Sequence, residues 1–493
     1  MPDRPNIVII MTDQQRADLT AREGFPLDTT PSLDRLAKQG TWFNRAYTSM
    51  PVCGPARVSM LTGRYPGATR VRTNHNIGDA VYGRDLFDVV RELGYATALS
   101  GKNHSHLTAD RTDHFFALGH HGGRGEDRTG DEKAFDAYLT GLCHRAAMEP
   151  TPFPLACQCP YRAVSSAQRW IGGLDGQPFC LWLSFPEPHN PYQVPEPYFS
   201  MFPPETLPPT ATGREALAVK GYKFHWVREL GEMGFGDYEA QVPRARSNYM
   251  GMLRLLDDQV GRFVTFLEEK GLRENTILVF LADHGDFVGE YGLVRKGPEL
   301  PEVLTRIPLL VTGPGIVAGE DAHSAHVSIV DLMPTLCEAV GAPIPEGVQG
   351  RSLWPLLKGE AYPEAEFASA YAEQGFGGLH YTAEDVLDPE DGLVPAISFD
   401  CLNTRSQSGT MRMARKGDWK LAFDMQGRGQ LYHLKDDPVE LNNLYGNQDF
   451  SDIQQEMLAE LLAWTLRAQD PLPLPRRRYT MKTDPRNYWA PYR

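Results

Sequence analysis

The chain has no apolar run near the ~18 residues that a membrane span needs. Its greasiest stretches, Phe179–Phe185 and Ile277–Ala282, are only strand length. No charged-then-apolar leader opens it: Met1-Pro2-Asp3-Arg4 runs directly into Asn6-Ile7-Val8-Ile9-Ile10-Met11, which reads as a core strand. These two absences give the expectation of a cytoplasmic protein with no membrane partner. Cysteine is scarce, with seven in 493 residues, at 53, 143, 157, 159, 180, 337 and 401. An odd, thinly spread set excludes a disulfide framework and suits a reducing compartment. Positive charge is also in deficit, 49 Lys+Arg against 63 Asp+Glu, a net charge of -14. That speaks against nucleic acid as a partner, while leaving room for a locally basic pocket. No internal repeat is visible.

What is present is an ordinary globular balance, 41% hydrophobic and 23% charged, with material for a large core. Four short apolar runs each stop at a polar cluster. Ile7–Met11 ends at Thr12-Asp13-Gln14-Gln15, and Ala96–Leu99 at Ser100-Gly101-Lys102-Asn103-His104. Phe179–Phe185 ends at Pro186-Glu187-Pro188-His189, and Ile277–Ala282 at Asp283-His284-Gly285-Asp286. Runs without alternation are strands buried on both faces, as in a parallel sheet. Helical periodicity lies between them. Thr30-Pro31 opens one helix that stops at Gly40, and a longer one covers 247–270, with Tyr249, Met252, Leu253, Leu256, Val260, Phe263, Val264 and Leu267 on one face. The alternation predicts an α/β domain with a mainly parallel sheet sandwiched by helices. In such sheets ligands bind beyond the carboxyl ends of the strands, where all four polar clusters fall.

Residues ~105–175 and ~190–245 show little periodicity and read as long excursions over the site. A Pro/Gly-rich stretch near 342–362 reads as a boundary, giving a catalytic domain over 1–360 and a smaller C-terminal domain over 361–470. In the latter, Met411–Lys416 and Trp419–Phe423 predict antiparallel strands. Ser451 and Gln454 form a capping box for a helix using Ile453, Met457, Leu461 and Trp464, which makes this domain α+β. The tail, 471–493, is basic and aromatic, with Arg476, Arg477, Arg478, Lys482, Arg486 and Arg493. It reads as an arm laid over its own subunit or a neighbour, so a homo-oligomer is one expectation.

The most specific segment is Cys53-Gly54-Pro55-Ala56-Arg57, continuing to Thr62-Gly63-Arg64. A second runs Gly94-Tyr95-Ala96-Thr97-Ala98-Leu99-Ser100-Gly101-Lys102-Asn103-His104. Together they resemble the two signatures of the sulfatase family, Cys-x-Pro-x-Arg and Gly-Tyr-x-Thr-x-x-x-Gly-Lys-x-His, in order and at family spacing. Further landmarks agree: Asp13 after the first strand, His189 in a Pro-His-x-Pro-Tyr segment, Asp283-His284 and the downstream Lys296. The likeness covers roughly residues 4–360, with a weaker echo at Arg415–Leu421.

The resemblance implies an alkaline-phosphatase-like fold and hydrolysis of a small-molecule or saccharide sulfate ester. It implies that a formylglycine-generating maturation enzyme oxidises Cys53 to formylglycine, whose hydrated aldehyde attacks sulfur. One divalent cation, Ca²⁺ in first place with Mn²⁺ or Mg²⁺ as alternatives, would be held by Asp13, Gln14, Asp283, His284 and the modified Cys53. Arg57 would steady the nucleophile, and Lys102 and Lys296 would bind sulfate oxygens. Asn74 would also touch substrate. His189 would protonate the leaving group, and His104 would assist the hydrated aldehyde or its collapse. The roles fit the chemistry, because a sulfate monoester needs a nucleophile at sulfur, positive charge around its oxygens and a proton for the departing alcohol.

Two departures bear on this reading. Many sulfatases carry two aspartates after the first strand, where this chain has Asp13-Gln14, and Asp-Asn after the fourth, where it has Asp283-His284. The exchange removes a negative charge and adds a nitrogen donor, which softens the preference for calcium and admits Mn²⁺ or another transition ion. It is similar to the choline-sulfatase and phosphonate monoester hydrolase branches, and Asn74, 21 residues after Cys53, points to the latter. Phosphonate monoester or phosphodiester hydrolysis is therefore the alternative activity, and a silent anion-binding protein with unmodified Cys53 the third. Cys143-His144 with Cys157 and Cys159 matches no common zinc spacing and reads as free thiols. His106, His114, His120 and His121 read as pocket wall or solvated loop.

Overall fold

The computed structural model describes residues 4–125, 127–234, 237–378, 381–385, 407–469 and 484–490. In chain order its strands are β1 (Asn6–Asp13), β2 (Thr41–Phe43), β3 (Ala46–Tyr47), β4 (Ala96–Lys102), β5 (His114–Gly119), β6 (Gly122–Gly123) and β7 (Phe179–Pro188). There follow β8 (Thr276–Ala282), β9 (Leu309–Thr312), β10 (Val327–Ser328), β11 (Ser369–Gly377), β12 (Gly409–Lys416), β13 (Trp419–Asp424) and β14 (Gly429–His433). Eight strands form one sheet in the order β2-β9-β8-β1-β7-β4-β5-β6. Its centre is parallel, with β1 flanked by β7 and β8, and β4 by β7 and β5. Antiparallel β9 and β6 lie towards the edges. The four sequence-read strands are all here; β1, β4 and β7 run on into their polar clusters, and β8 stops just before Asp283.

The unalternated runs have the expected cause: every residue of β1, β4, β7 and β8 is buried. Ile7, Ile9 and Met11 face one helical layer, which includes Cys53–Thr62, Leu86–Glu92 and Leu332–Ala339. Val8 and Ile10 face the other, built from Pro31–Ala37, Cys159–Gly172 and Tyr238–Glu269. The sheet is thus covered on both sides, and its strand ends are the surface left for a site.

Three local expectations are corrected. The stretch 105–175 is not only excursion: it contains the helices Gly130–Leu142 and Cys159–Gly172, and the latter packs Ala163, Val164 and Ala167 on the sheet. The long helix begins at Tyr238 rather than 247. Pro243 is tolerated in its second turn, where only one carbonyl loses its partner. Ser451 does not cap its helix: Phe450 precedes it without a side-chain cap, and Gln454 Oε1 accepts from Gly446 N at 2.7 Å.

Strands β11 to β14 form a four-stranded antiparallel sheet, as predicted from Met411–Lys416 and Trp419–Phe423. Its Tyr371, Ala414, Leu421 and Leu431, with Met457, Leu461 and Trp464 of the helix Ser451–Ala468, join the same hydrophobic cluster as one face of the large sheet. Of the tail, Arg476, Arg477, Arg478, Lys482 and Arg493 lie outside the described residues, as does Cys401. The other six cysteines are free thiols. No helix among the described residues is long and apolar enough to cross a membrane.

Candidate active site

The carboxyl ends of β1, β4, β7 and β8 deliver Asp13, Lys102, His189 and Asp283 to one place, and a helix start delivers Cys53. The helix Cys53–Thr62 opens at the cysteine with no side-chain cap from Val52, so its positive end faces the thiol. One orphan donor of that first turn is met by Asn74, whose Oδ1 accepts from Gly54 N at 2.8 Å. The glycine before Lys102 has a steric reason. Gly101 sits at φ +113°, and a Cβ there would lie 1.8 Å from the Ser184 carbonyl oxygen on β7.

Arg57 is completely buried beneath the site and ties its carboxylates together. Its Nε donates to Asp283 Oδ2 at 2.8 Å, and its Nη2 to Asp13 Oδ2 at 3.3 Å. Its Nη1 donates to the Lys102 carbonyl at 3.0 Å and to Ser184 Oγ at 2.7 Å. Lys102 Nζ pairs with Asp13 Oδ2 and lies 2.8 Å from His120 Nε2. Around the Cys53 sulfur stand Lys296 Nζ at 3.3 Å, His284 Nε2 at 3.3 Å and Asp13 Oδ1 at 3.5 Å. Lys296 Nζ also lies 3.3 Å from His189 Nε2.

The electrostatics follow from burial among cations. Burial pushes the Cys53 thiol up from its ordinary value, against the pull of Lys296. Burial lowers His189 well below the usual imidazole value, and His120 and Lys296 lower it further. Its Nδ1–H is donated to the Asn190 carbonyl at 2.7 Å, so Nε2 presents a lone pair to Lys296. Burial first, then Lys102 and Arg57, brings His104 down to about 2. His104 and Gln14 both hold left-handed backbone, φ 49° and 68°, at the turns where their strands end.

Asp13, Cys53, Asp283 and His284 each bring a ligand atom within 4.8 Å of the others. His284 donates Nδ1–H to the Gly285 carbonyl at 2.9 Å, which leaves the Nε2 lone pair 3.7 Å from both Asp13 Oδ1 and Asp283 Oδ1. Burial pulls His284 down to about 3, so it is neutral. An imidazole lone pair facing two carboxylate oxygens is repulsive unless a cation lies between them. Gln14 adds a buried Oε1 without a partner, while its Nε2 donates to Asp286. These donors fit a divalent cation.

All eleven sequence-read site residues therefore gather here, and Asn74, His104, His189 and Lys296 line a cleft of about 310 Å³ above the thiol. Sequence reading missed His120, which stacks on His189 with ring centroids 3.6 Å apart. It stands in the β5–β6 turn, and nothing local separates it from the other histidines nearby. Asp286 was also missed. It accepts from Tyr192, Val288 N and Arg295 N, and a second carboxylate three residues past Asp283 was its only signal. His121 and His144 are cleft wall, while His106 pairs with Asp85 and His114 bonds Ser166. Cys157 and Cys159 are packed in the hydrophobic layer, and neither they nor Cys143 joins a metal-ligand group among the described residues.

The sequence profile of the sulfatase family matches residues 5–342. A multifunctional alkaline phosphatase superfamily protein of Trinickia caryophylli is 27% identical, over 95% of this chain and 96% of its own length. An arylsulfatase of Clostridium perfringens is 27% identical, over 91% of this chain and 92% of its own. In fold, the chain is similar to the phosphonate monoester hydrolase of Agrobacterium radiobacter, with a TM-score of 0.77, 24% identity, and 94% and 96% of the two chains covered. The architecture is alkaline-phosphatase-like.

Proposed function

The chain belongs to the sulfatase family, and from that premise we propose that it hydrolyses a sulfate ester of a small organic molecule or saccharide. The observation that carries this reading is the ring of Lys296, His284 and Asp13 around the sulfur of Cys53, all within 3.5 Å. We read Cys53 as the substrate of a maturation enzyme. Oxidised to formylglycine, it would supply a hydrated aldehyde as nucleophile. A divalent cation held by Asp13, Gln14, Asp283 and His284, with residue 53 completing the set, would supply positive charge beside the nucleophile. Hard oxygens suit Ca²⁺ or Mg²⁺, and the imidazole nitrogen tilts the set towards Mn²⁺.

The chain's own groups do the rest. Arg57 neutralises the paired carboxylates and fixes their spacing. Lys102 and Lys296, with the helix start at Cys53, attract the sulfate oxygens. His189 is neutral and lacks a proton at Nε2, so the proton for the departing oxygen comes from the Lys296–His189 pair, across their 3.3 Å contact. His104 takes the proton lost when sulfate is expelled. Its basicity is suppressed by burial and by Lys102 and Arg57, and a bound anion offsets those charges.

A panel of aryl sulfate, aryl phosphonate monoester and phosphodiester substrates, compared by kcat/KM, tests the assignment. The sulfate ester is expected to lead. Asn74 supports the phosphonate or phosphodiester reading instead, and a sulfate ester poorest by orders of magnitude would establish it. Peptide mass at Cys53 is expected to show the thiol replaced by a carbonyl. An unmodified thiol at Cys53 without turnover of any ester would identify a silent anion-binding protein.

A further inference from the structure

The cleft wall differs in charge from the molecule around it. Among its described lining residues are six histidines (75, 104, 120, 121, 144 and 189), the cations Arg295 and Lys296, and no aspartate or glutamate. The chain as a whole carries a net charge of -14. The two cations are neighbours in sequence but hold different partners in the cleft. Lys296 reaches the nucleophile. Arg295 donates from Nη2 to the carbonyl of His144, whose ring lies 5.2 Å from that of His121.

Arg295 is built into this position. Its backbone is left-handed, φ 76°, and its N–H is held by Asp286 Oδ1 at 2.8 Å. Its side chain is buried, with the residue 7% exposed. Burial pulls its pKa down to about 10, which leaves the guanidinium charged at neutral pH. The carboxylates below the cleft, Asp13 and Asp283, are engaged by Arg57 and Lys102, and Asp286 by Gln14, Tyr192 and backbone. The reacting sulfate would be served by Lys102 and Lys296, and Arg295, which also feels the charge of Asp286, adds a further cation to the cleft wall.

We propose that Arg295, with His144 and His121 beside it, forms a second anion subsite, so that the preferred ester carries a carboxylate or a further sulfate or sulfonate on the alcohol it releases. This deepens the sulfate-ester reading and rests on it. It also separates this chain from the choline-sulfatase branch it resembles, because a quaternary ammonium would meet a guanidinium and no carboxylate on the described wall.

The test uses the mature, metal-loaded enzyme and four phenyl sulfates that differ only in the meta substituent: carboxylate, sulfonate, methyl ester and trimethylammonium. Charged hydrogen bonds of this kind correspond to about tenfold or more in kcat/KM for the anionic esters over the methyl ester. The trimethylammonium ester is expected to be poorest, and the order of carboxylate and sulfonate identifies the group. Whatever Arg295→Gln does to the methyl ester, it is expected to bring the anionic-to-neutral ratio close to one, and Arg295→Lys to retain more of it. A wild-type ratio of one or less, or a ratio equal in wild type and Arg295→Gln, overturns the subsite. If no sulfate ester turns over, the sulfate reading fails but the subsite is still read. Calorimetric binding of 3-hydroxybenzoate against its methyl ester needs no turnover. Preference for the anion, lost in Arg295→Gln, upholds the subsite, and equal binding overturns it.

Discussion

Arg57 shows how one residue can matter to both stability and chemistry. It is fully buried between two carboxylates, of which Asp13 also pairs with Lys102. Removing one member of a buried, hydrogen-bonded ion cluster typically costs about 3–5 kcal/mol, because the partners stay buried and uncompensated. Arg57→Met is therefore expected to lower unfolding free energy by about that much in metal-free protein, measured by denaturant titration. A loss under about 1 kcal/mol would mean that Lys102 alone neutralises the pair. His189 makes a different prediction. If it relays a proton to the departing oxygen, His189→Gln should slow poor leaving groups most, by about 100-fold or more, and good ones little. A plot of log kcat/KM against the leaving alcohol's pKa should steepen, and an unchanged slope would remove His189 from the proton path. At this scale the sequence was informative where residue type and order are fixed by chemistry, as for Cys53, Arg57 and Lys102. It was silent on His120 and Asp286, because their places depend on how the β5–β6 turn and the segment after Asp283 fold back.

Elements were legible in proportion to how strongly burial shaped them. The four apolar strands could be read because a two-sided buried strand is an almost continuous apolar run until it ends. The helix Cys159–Gly172 was hidden because its buried face includes the polar Arg162 and Ser166 and its N-terminus carries Pro160 after two spaced cysteines. The Ser451 cap was misplaced because the preceding 3-10 turn, Gln448–Phe450, uses Asn447 as its own cap. A true cap stands elsewhere. Asp85 caps the helix Leu86–Glu92, accepting from Asp88 N at 3.0 Å in a capping box, and also receives His106 Nε2 at 2.8 Å and Arg111 Nη2 at 2.9 Å. Burial alone would raise its pKa, but the bonds from His106 and Arg111 overcome burial and hold it down from 3.8 to about 2. A carboxylate depressed on folding stabilises above its unfolded pKa, and that stability is lost as pH falls through the folded value. Asp85→Asn should thus cost about 2 kcal/mol at pH 7. The difference from wild type should narrow between pH 3.8 and about 2. A difference constant over that window would mean that the amide replaces the carboxylate bond for bond.

For the whole molecule, the question is what the C-terminal end does for the rest. The small antiparallel sheet shares its hydrophobic cluster with the large one, so the two are packed through a common core. No periodic pattern marks residues 484–490 as structural, yet they dock on the same chain. Tyr488 is buried and donates to the Ser352 carbonyl at 2.6 Å, and Arg486 pairs with Glu338 at 2.8 Å. Trp489 N and Ala490 N each donate at 2.7 Å to Oε2 of buried Glu366, whose other oxygen takes Arg467 at 2.8 Å. Glu366 is thereby a buried carboxylate satisfied partly by the tail. Ending the chain at residue 469 would strip two charged hydrogen bonds from it and uncover the face that Tyr488 covers. The expected loss is about 2–4 kcal/mol, visible as a lower melting temperature. The mass in solution should stay that of the full-length assembly, less the deleted residues in each subunit, because these contacts close within one chain. A halved assembly would instead assign the tail to a neighbour. Glu366→Gln separates the two effects, since it removes the charge that the tail satisfies while leaving the tail in place. If the tail acts through Glu366, truncation in that background should cost less than in wild type.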